Sequence, residues 1–255
     1  MMRQTMLVIY ISGALAATAF LPNCASKDVT ESNSAEAAFK AAEDFEKDER
    51  YDEAIAKFNE VKNKHPYSKF AIEAELHVAD IHYKREAYIE AATAYQLFKD
   101  FHPKNPKIDY VTFRLAMSYF QQLPPTADRD LGPSAKAIQF FNEVINAYSA
   151  SPYVSEAKQK KGEALRMLAE KEAYIGMYYF KRKIYDSAQR RYEGLLVKYP
   201  DLGYDEEALY FAGVSAFESG DHASGVKHIK DMLAKFPDGN FTGRGKSALE
   251  KYGSQ

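Results

Sequence analysis

One phrase recurs along this chain, and it limits the fold more than any other feature. It reads His65-Pro66-Tyr67-Ser68-Lys69-Phe70, followed by Glu73-Ala74. It returns as Tyr148-Ser149-Ala150-Ser151-Pro152-Tyr153 before Glu156-Ala157, and as Tyr199-Pro200-Asp201-Leu202-Gly203-Tyr204 before Glu207-Ala208. A decayed copy is Phe236-Pro237-Asp238-Gly239-Asn240-Phe241, where Arg244-Gly245 stand in place of Glu-Ala. A ring closes one helix, a proline usually stops it, and an aromatic opens the next. Self-similarity of this kind signals stacked helical units, each unable to bury its apolar face alone. Such arrays present surfaces to partners and seldom enclose a reaction centre.

A second mark precedes each phrase. Tyr51, Ala54, Phe58 and Val61 lie at steps of three or four before Pro66. The same steps give Tyr88, Ala91, Tyr95 and Phe98 before Pro103, and Tyr185, Ala188, Tyr192 and Leu195 before Pro200. They recur as His222, Gly225, Ile229 and Met232 before Pro237, and as Ala137, Phe141 and Val144 before Ser149, which has no proline. This is the pattern of the second helix of a tetratricopeptide-like (TPR) pair: a small residue lets helices approach and bulky ones fill the space between repeats. No stretch alternates with period two over strand length, so no strand is predicted. Equivalent positions 66 and 103, and again 200 and 237, are 37 residues apart, but 103 to 149 is 46 and 149 to 200 is 51. The excess predicts a loop over Gln121–Pro133 and a long helix from Tyr153 to about Lys183, roughly 45 Å in length. The expected fold is all-α: a right-handed α-solenoid of about five TPR-like pairs. The long helix should join an N-terminal lobe (35–150, repeats 1–3) to a C-terminal lobe (151–252, repeats 4–5). The glycines at 239, 243 and 245 read as a fraying C-terminus.

The N-terminus has a different character. Arg3 precedes a charge-free run from Met6 to Leu21, short for a membrane span and right for a signal peptide. Cys24, the only cysteine, follows directly. Leu21-Pro22-Asn23-Cys24 keeps the leucine and cysteine of a lipobox, although Pro22 and Asn23 depart from its small residues. Two processings are open: cleavage before Cys24 with diacylglycerol attachment, or ordinary cleavage after Ala17-Thr18-Ala19. Lipidation is the expectation, since an unpaired thiol in an oxidising space is a liability. Residues 1–23 are then the signal peptide and 24–34 a polar tether. Ala25, where an aspartate would favour inner-membrane retention, favours the outer membrane.

The chemistry expected of an enzyme is missing. The net charge of −2 over 255 residues favours neither nucleic acid nor an acidic membrane surface as partner. The six histidines form no metal-binding motif; His77 and His82 are five apart on one helix. Glu170 and Glu172 sit on a charged helical face without a nucleophile, and no Gly-rich phosphate loop occurs. No catalytic residue, metal or cofactor is assigned beyond the acyl group on Cys24.

Motifs outside the repeats carry a family resemblance. His102-Pro103-Lys104-Asn105-Pro106-Lys107-Ile108-Asp109-Tyr110 resembles the Pro-x-x-Pro-x-x-Asp-Tyr signature of the BamD (ComL-type) lipoprotein family. Asp128-Arg129-Asp130 is similar to its Arg-Asp loop. Leu165-Arg166, Leu168-Ala169 and Glu172 are similar to its Leu-Arg-x-x-Leu-Ala-x-x-Glu run, and Tyr178-Tyr179 with Arg182 to its Tyr-Tyr-x-x-Arg. The resemblance implies a non-enzymatic lipoprotein of the outer-membrane β-barrel assembly complex, facing the periplasm and touching the membrane only through its lipid. It implies that the C-terminal repeats dock onto the POTRA domains of the barrel subunit BamA, that unfolded outer-membrane proteins meet the N-terminal repeats, and that accessory lipoproteins can accompany it. Arg191, three residues after Ala188, occupies the position of a BamA-contacting arginine, with Arg190 as the alternative register. In a TPR array the first helix of each pair lines the concave groove. Helical spacing places Glu43, Glu46, Lys47, His77, Asp80, Tyr83, Lys84, Phe113, Met117 and Phe120 toward it, a mixed aromatic and polar surface suited to an extended peptide. The other reading of these features is a periplasmic TPR lipoprotein that binds peptidoglycan or coordinates other envelope machinery.

Overall fold

The computed structural model describes residues 34–253 of the chain. The expected signal peptide and Cys24 lie outside the described residues, so the lipidation expectation does too. Eleven helices follow one another: α1 (Ala35–Lys47), α2 (Tyr51–Lys64), α3 (Lys69–Lys84), α4 (Tyr88–Phe101), α5 (Ile108–Gln121), α6 (Ser134–Ala147), α7 (Val154–Lys181), α8 (Tyr185–Lys198), α9 (Asp205–Ser219), α10 (His222–Lys235) and α11 (Thr242–Tyr252). Among the described residues there is no strand. Each helix packs chiefly on its two chain neighbours, and α1 also meets α3, α5 meets α7, and α7 meets α9. The architecture is therefore an all-α solenoid of helix pairs with a long helix within it.

The recurring phrase is one backbone conformation used five times. His65, His102, Tyr148, Tyr199 and Phe236 end α2, α4, α6, α8 and α10 with φ between −135° and −119° and ψ between 49° and 69°. Each still donates its N–H to the carbonyl four residues back. Proline follows four of them, and its ring drives the preceding residue out of the helical region. Tyr148 takes the same conformation before Ser149. The opposite corners share another device. Glu49, Glu86 and Lys183 have φ of 57°, 59° and 61°, and Gly220 has 92°. Only one of these four left-handed corners uses glycine; the others accept roughly 1 kcal/mol of strain.

The small-residue positions explain the close stacking. Ala54, Ala91, Ala137 and Ala188 are fully buried. At the fifth position, Gly225, a Cβ would stand 2.5 Å from the Phe217 ring, so that pair tolerates nothing larger than glycine. The core runs as linked clusters along the array: one beneath α1–α3, one beneath α3–α6, one beneath α7–α9 and one beneath α9–α11. The 28-residue α7 serves two of them. Ala157 belongs to the second cluster and Ala173 to the third.

The C-terminus corrects the expectation of fraying. Gly245, Ala248, Leu249 and Tyr252 repeat at helical spacing and close the open end of the array. Tyr252 stacks on Phe217 with ring centroids 5.0 Å apart. A Cβ on Gly245 would come within 2.4 Å of Met232 Cε, so this glycine marks a close approach of α11 to α10. An array needs such a cap because its last repeat would otherwise expose a core face.

Candidate binding surfaces

The N-terminal candidates fall into two polar networks. In the first, Glu46 near the end of α1 accepts from His77 Nδ1 at 2.6 Å and from Lys84 Nζ at 2.5 Å, both on α3. The Glu46 side chain is only 9% exposed. Burial alone would raise its carboxyl pKa, but the hydrogen bonds from His77 and Lys84 outweigh that and hold it below the usual range. The His77 ring stacks on Phe58 at 4.9 Å and meets the edge of Phe39 at 5.3 Å. In this way two core phenylalanines set the orientation of a surface imidazole.

The second network lies one turn further along α3. Asp80 Oδ1 accepts from two hydroxyls, Tyr95 of α4 at 2.5 Å and Tyr110 of α5 at 2.7 Å. Burial, with Asp80 adding to it, pushes both phenols well above their ordinary range. The Arg114 guanidinium lies 3.9 Å over the Tyr83 ring, and Tyr83 meets Tyr88 edge-on at 5.3 Å. The Arg114 Nε is buried with no hydrogen-bond partner among the described residues.

The other candidates spread out. Glu43 is half-buried, and Lys47 is exposed and pairs with Asp44 at 3.5 Å. Phe120 is half-buried against Phe141, with the Lys160 ammonium 5.1 Å from its ring. Phe113 and Met117 are 4% and 6% exposed and belong to the core. Their place at the groove is corrected: side chains enclosed between α5 and its neighbours offer nothing to a ligand. The spacing argument was rotated by one position on α5. Tyr110 and Arg114, at i and i+4, are the residues that meet α3. Tyr88, Tyr110 and Arg114 lie outside the expected set, because helical spacing fits 110/114 as well as 113/117 and does not choose between them; Tyr95, fully buried, joins the network from the core.

In the C-terminal repeats, Arg191 of α8 donates from Nη1 to Glu172 Oε2 of α7 at 3.1 Å, and its side chain remains 43% exposed. Glu172 belongs to the motif read above on its own. The structure brings the two motifs together as an ion pair. Arg190 beside it is exposed. The Arg-Asp loop is anchored by buried Ala127 and Leu131, and its Arg129 carbonyl accepts from Lys171 Nζ of α7 at 2.7 Å. Tyr174 and Tyr178 are exposed on the same helix, the latter beneath the Arg182 guanidinium at 4.5 Å. Arg191, Glu172, Lys171 and the loop therefore converge on one helix, α7. His65 and His102 act as helix ends; His102 Nε2 lies 2.8 Å from Glu75 and its ring packs on Phe98. Among the described residues no cluster could hold a metal ion, and no helix is long and apolar enough to cross a membrane.

A solenoid with an irregular middle, polar networks on its first helices and a motif-built ion pair on α7 defines the class: a helical-repeat protein of TPR-like pairs. Residues 31–212 match the YfiO family, described as outer membrane lipoprotein, and the chain belongs to that family. It is 27% identical to the outer membrane protein assembly factor BamD of Neisseria gonorrhoeae over 219 residues, 82% of each chain. The BamD of Rickettsia prowazekii is 26% identical over 189 residues, 74% of this chain and 75% of the relative. Among solved structures, the TPR2AB domain of yeast Sti1 is 16% identical with a TM-score of 0.41, covering 86% of both chains. A thermophilic TPR protein of Thermus thermophilus is 15% identical with a TM-score of 0.39, covering 85% of this chain and 99% of that one.

Proposed function

We propose that this chain is a non-enzymatic assembly factor for outer-membrane β-barrel proteins, held to the outer membrane by an N-acyl diacylglycerol on Cys24 and facing the periplasm. The observation that carries this reading is the similarity to BamD assembly factors along four-fifths of the chain. In this reading the C-terminal repeats dock on the POTRA domains of BamA, with Arg191 at the contact. An arginine already half-satisfied by Glu172 keeps donors for a second carboxylate, and its planar fork suits a bidentate contact. Unfolded outer-membrane proteins would lie along α1, α3 and α5, where Glu43, Glu46, Lys47, His77, Asp80, Tyr83, Lys84 and Phe120 combine rings with charge. The long α7 would join the 35–150 and 151–252 lobes and hold these two tasks at a set separation. Affinity purification of the chain from detergent-solubilised membranes tests the reading. BamA is the expected co-purifying protein, and an eluate without it would sink the proposal. Cys24→Ser should move the chain out of the membrane pellet once its partners are stripped in a high-salt wash, which screens ionic contacts with the lipid.

A further inference from the structure

The two edges of the N-terminal repeats carry opposite charge. The edge where second helices hand over to first helices comprises 61–70 and 99–108, with six lysines and one aspartate. The opposite corners, 44–53 and 84–90, carry eight acids and four cations. The basic segments form one continuous edge. The start of α1 lies beside the end of α2, where Ala37 and Ala38 share a hollow with Lys64 and His65. The start of α3 lies beside the loop after α4, where Ile72 and Leu76 share a hollow with Pro106 and Lys107.

Lys64 pairs with Glu60 and Lys99 with Glu143, but ion pairing does not account for Lys69, Lys104 and Lys107. Lys69 is the first residue of α3, whose first turn has no acid, and Lys107 is the N-cap of α5. Both stand at helix N-termini, where the macrodipole disfavours a cation. Among the described residues Lys69, Lys104 and Lys107 have no carboxylate partner; the Lys69 ammonium lies 4.9 Å from the ring of its neighbour Phe70, a contact that leaves its charge open to solvent. Two large rings project from the same edge: Tyr67 is 102% exposed and Phe101 is 73% exposed. Aromatic rings with lysines are the composition that settles at the headgroup level of a bilayer.

The described chain starts at Ser34, on this edge. Nine residues lie between it and Cys24, and the ten Cα–Cα steps reach at most about 35 Å. We infer that the basic, aromatic edge of repeats 1 and 2 rests on an anionic phospholipid surface, so that the array meets the membrane directly as well as through its lipid. This rests on the proposed anchor at Cys24, which brings the edge within reach of the bilayer. It gives the lysines and the exposed rings one occupant: phosphate headgroups for the cations, and the interfacial layer for Tyr67 and Phe101.

The test uses the full mature chain carrying Cys24→Ser, so that no acyl group contributes. It is co-sedimented with phosphatidylethanolamine–phosphatidylglycerol vesicles and with phosphatidylethanolamine–phosphatidylcholine vesicles. The expected result is binding to the first, little to the second, and loss of binding with added salt. Lys69→Glu, Lys104→Glu and Lys107→Glu should each weaken binding about five-fold. Lys69→Glu should also keep or raise the melting temperature, because it removes a clash with the helix dipole. Lys227→Glu with Lys230→Glu, exposed on α10, should leave binding unchanged. Equal binding to both vesicle types, equal binding by the lysine variants, or binding to polyglutamate in place of vesicles would each overturn the inference. Failure of the anchor reading is separate: it would appear as an unacylated mass of the mature wild-type protein.

Discussion

Tyr95 and Tyr192 stand at the same place in their repeats, four residues after Ala91 and Ala188, and both are fully buried. The Tyr95 hydroxyl donates to Asp80, which also holds Tyr110. The Tyr192 hydroxyl has no partner among the described residues. Burial raises both phenols, with Asp80 adding to it at Tyr95 and Glu207 at Tyr192. The same residue in the same slot is thus part of a polar network in repeat 2 and a spacer with an orphan hydroxyl in repeat 4. The slot asks only for a large ring or aliphatic, as Phe58, Phe141 and Ile229 show in the other repeats. What repeat 2 adds is Asp80, a carboxylate placed where the N-terminal first helices converge. The difference separates residues that make the array from residues that equip its surface.

The largest break in this comparison should come from Asp80→Ala. It leaves two buried hydroxyls without their acceptor and should cost about 3 kcal/mol. Thermal unfolding should show a drop of roughly 6 to 12 °C. Tyr95→Phe should cost less, about 1–2 kcal/mol, because Tyr110 still satisfies Asp80. Glu46→Gln should cost about 1 kcal/mol at neutral pH, measured by urea denaturation. The folded carboxyl of Glu46 is depressed, so its stabilisation is present above the unfolded-state pKa and is lost as pH falls through the folded one. The gap between wild type and Glu46→Gln should therefore close in acid. Tyr192→Phe should be neutral or slightly stabilising, since it removes a hydroxyl whose burial nothing offsets. A loss at Tyr192 equal to that at Tyr95 would erase the distinction between the two repeats.

The helix ends were legible because proline acts locally: it decides the conformation of the residue before it whatever the surroundings. The small-residue positions were legible for a similar reason, since only a small side chain fits a close crossing. The face of α5 was not. One step around a helix turns a side chain by about 100°, and without knowing how α5 sits on α3, spacing alone could not choose Tyr110 and Arg114 over Phe113 and Met117. The glycines of α11 misled because glycine reads as flexible until a neighbour such as Met232 is placed against it. The whole-chain charge of −2 hid an edge rich in lysine opposite one rich in acid, because a sum over the sequence discards geometry. The Arg191–Glu172 pair joins residues nineteen apart, and only the antiparallel packing of α7 on α8 brings them together.

The central claim is that the C-terminal repeats supply the contact to the barrel subunit and that Arg191 carries it. It is tested most directly by comparing BamA recovery with the wild-type chain, Arg191→Glu and Glu172→Gln, with helical content checked by circular dichroism. Arg191→Glu should lose most of the co-purifying BamA with its helical signal intact, whereas Glu172→Gln, which frees the guanidinium, should keep it. Undiminished recovery with Arg191→Glu would contradict the account.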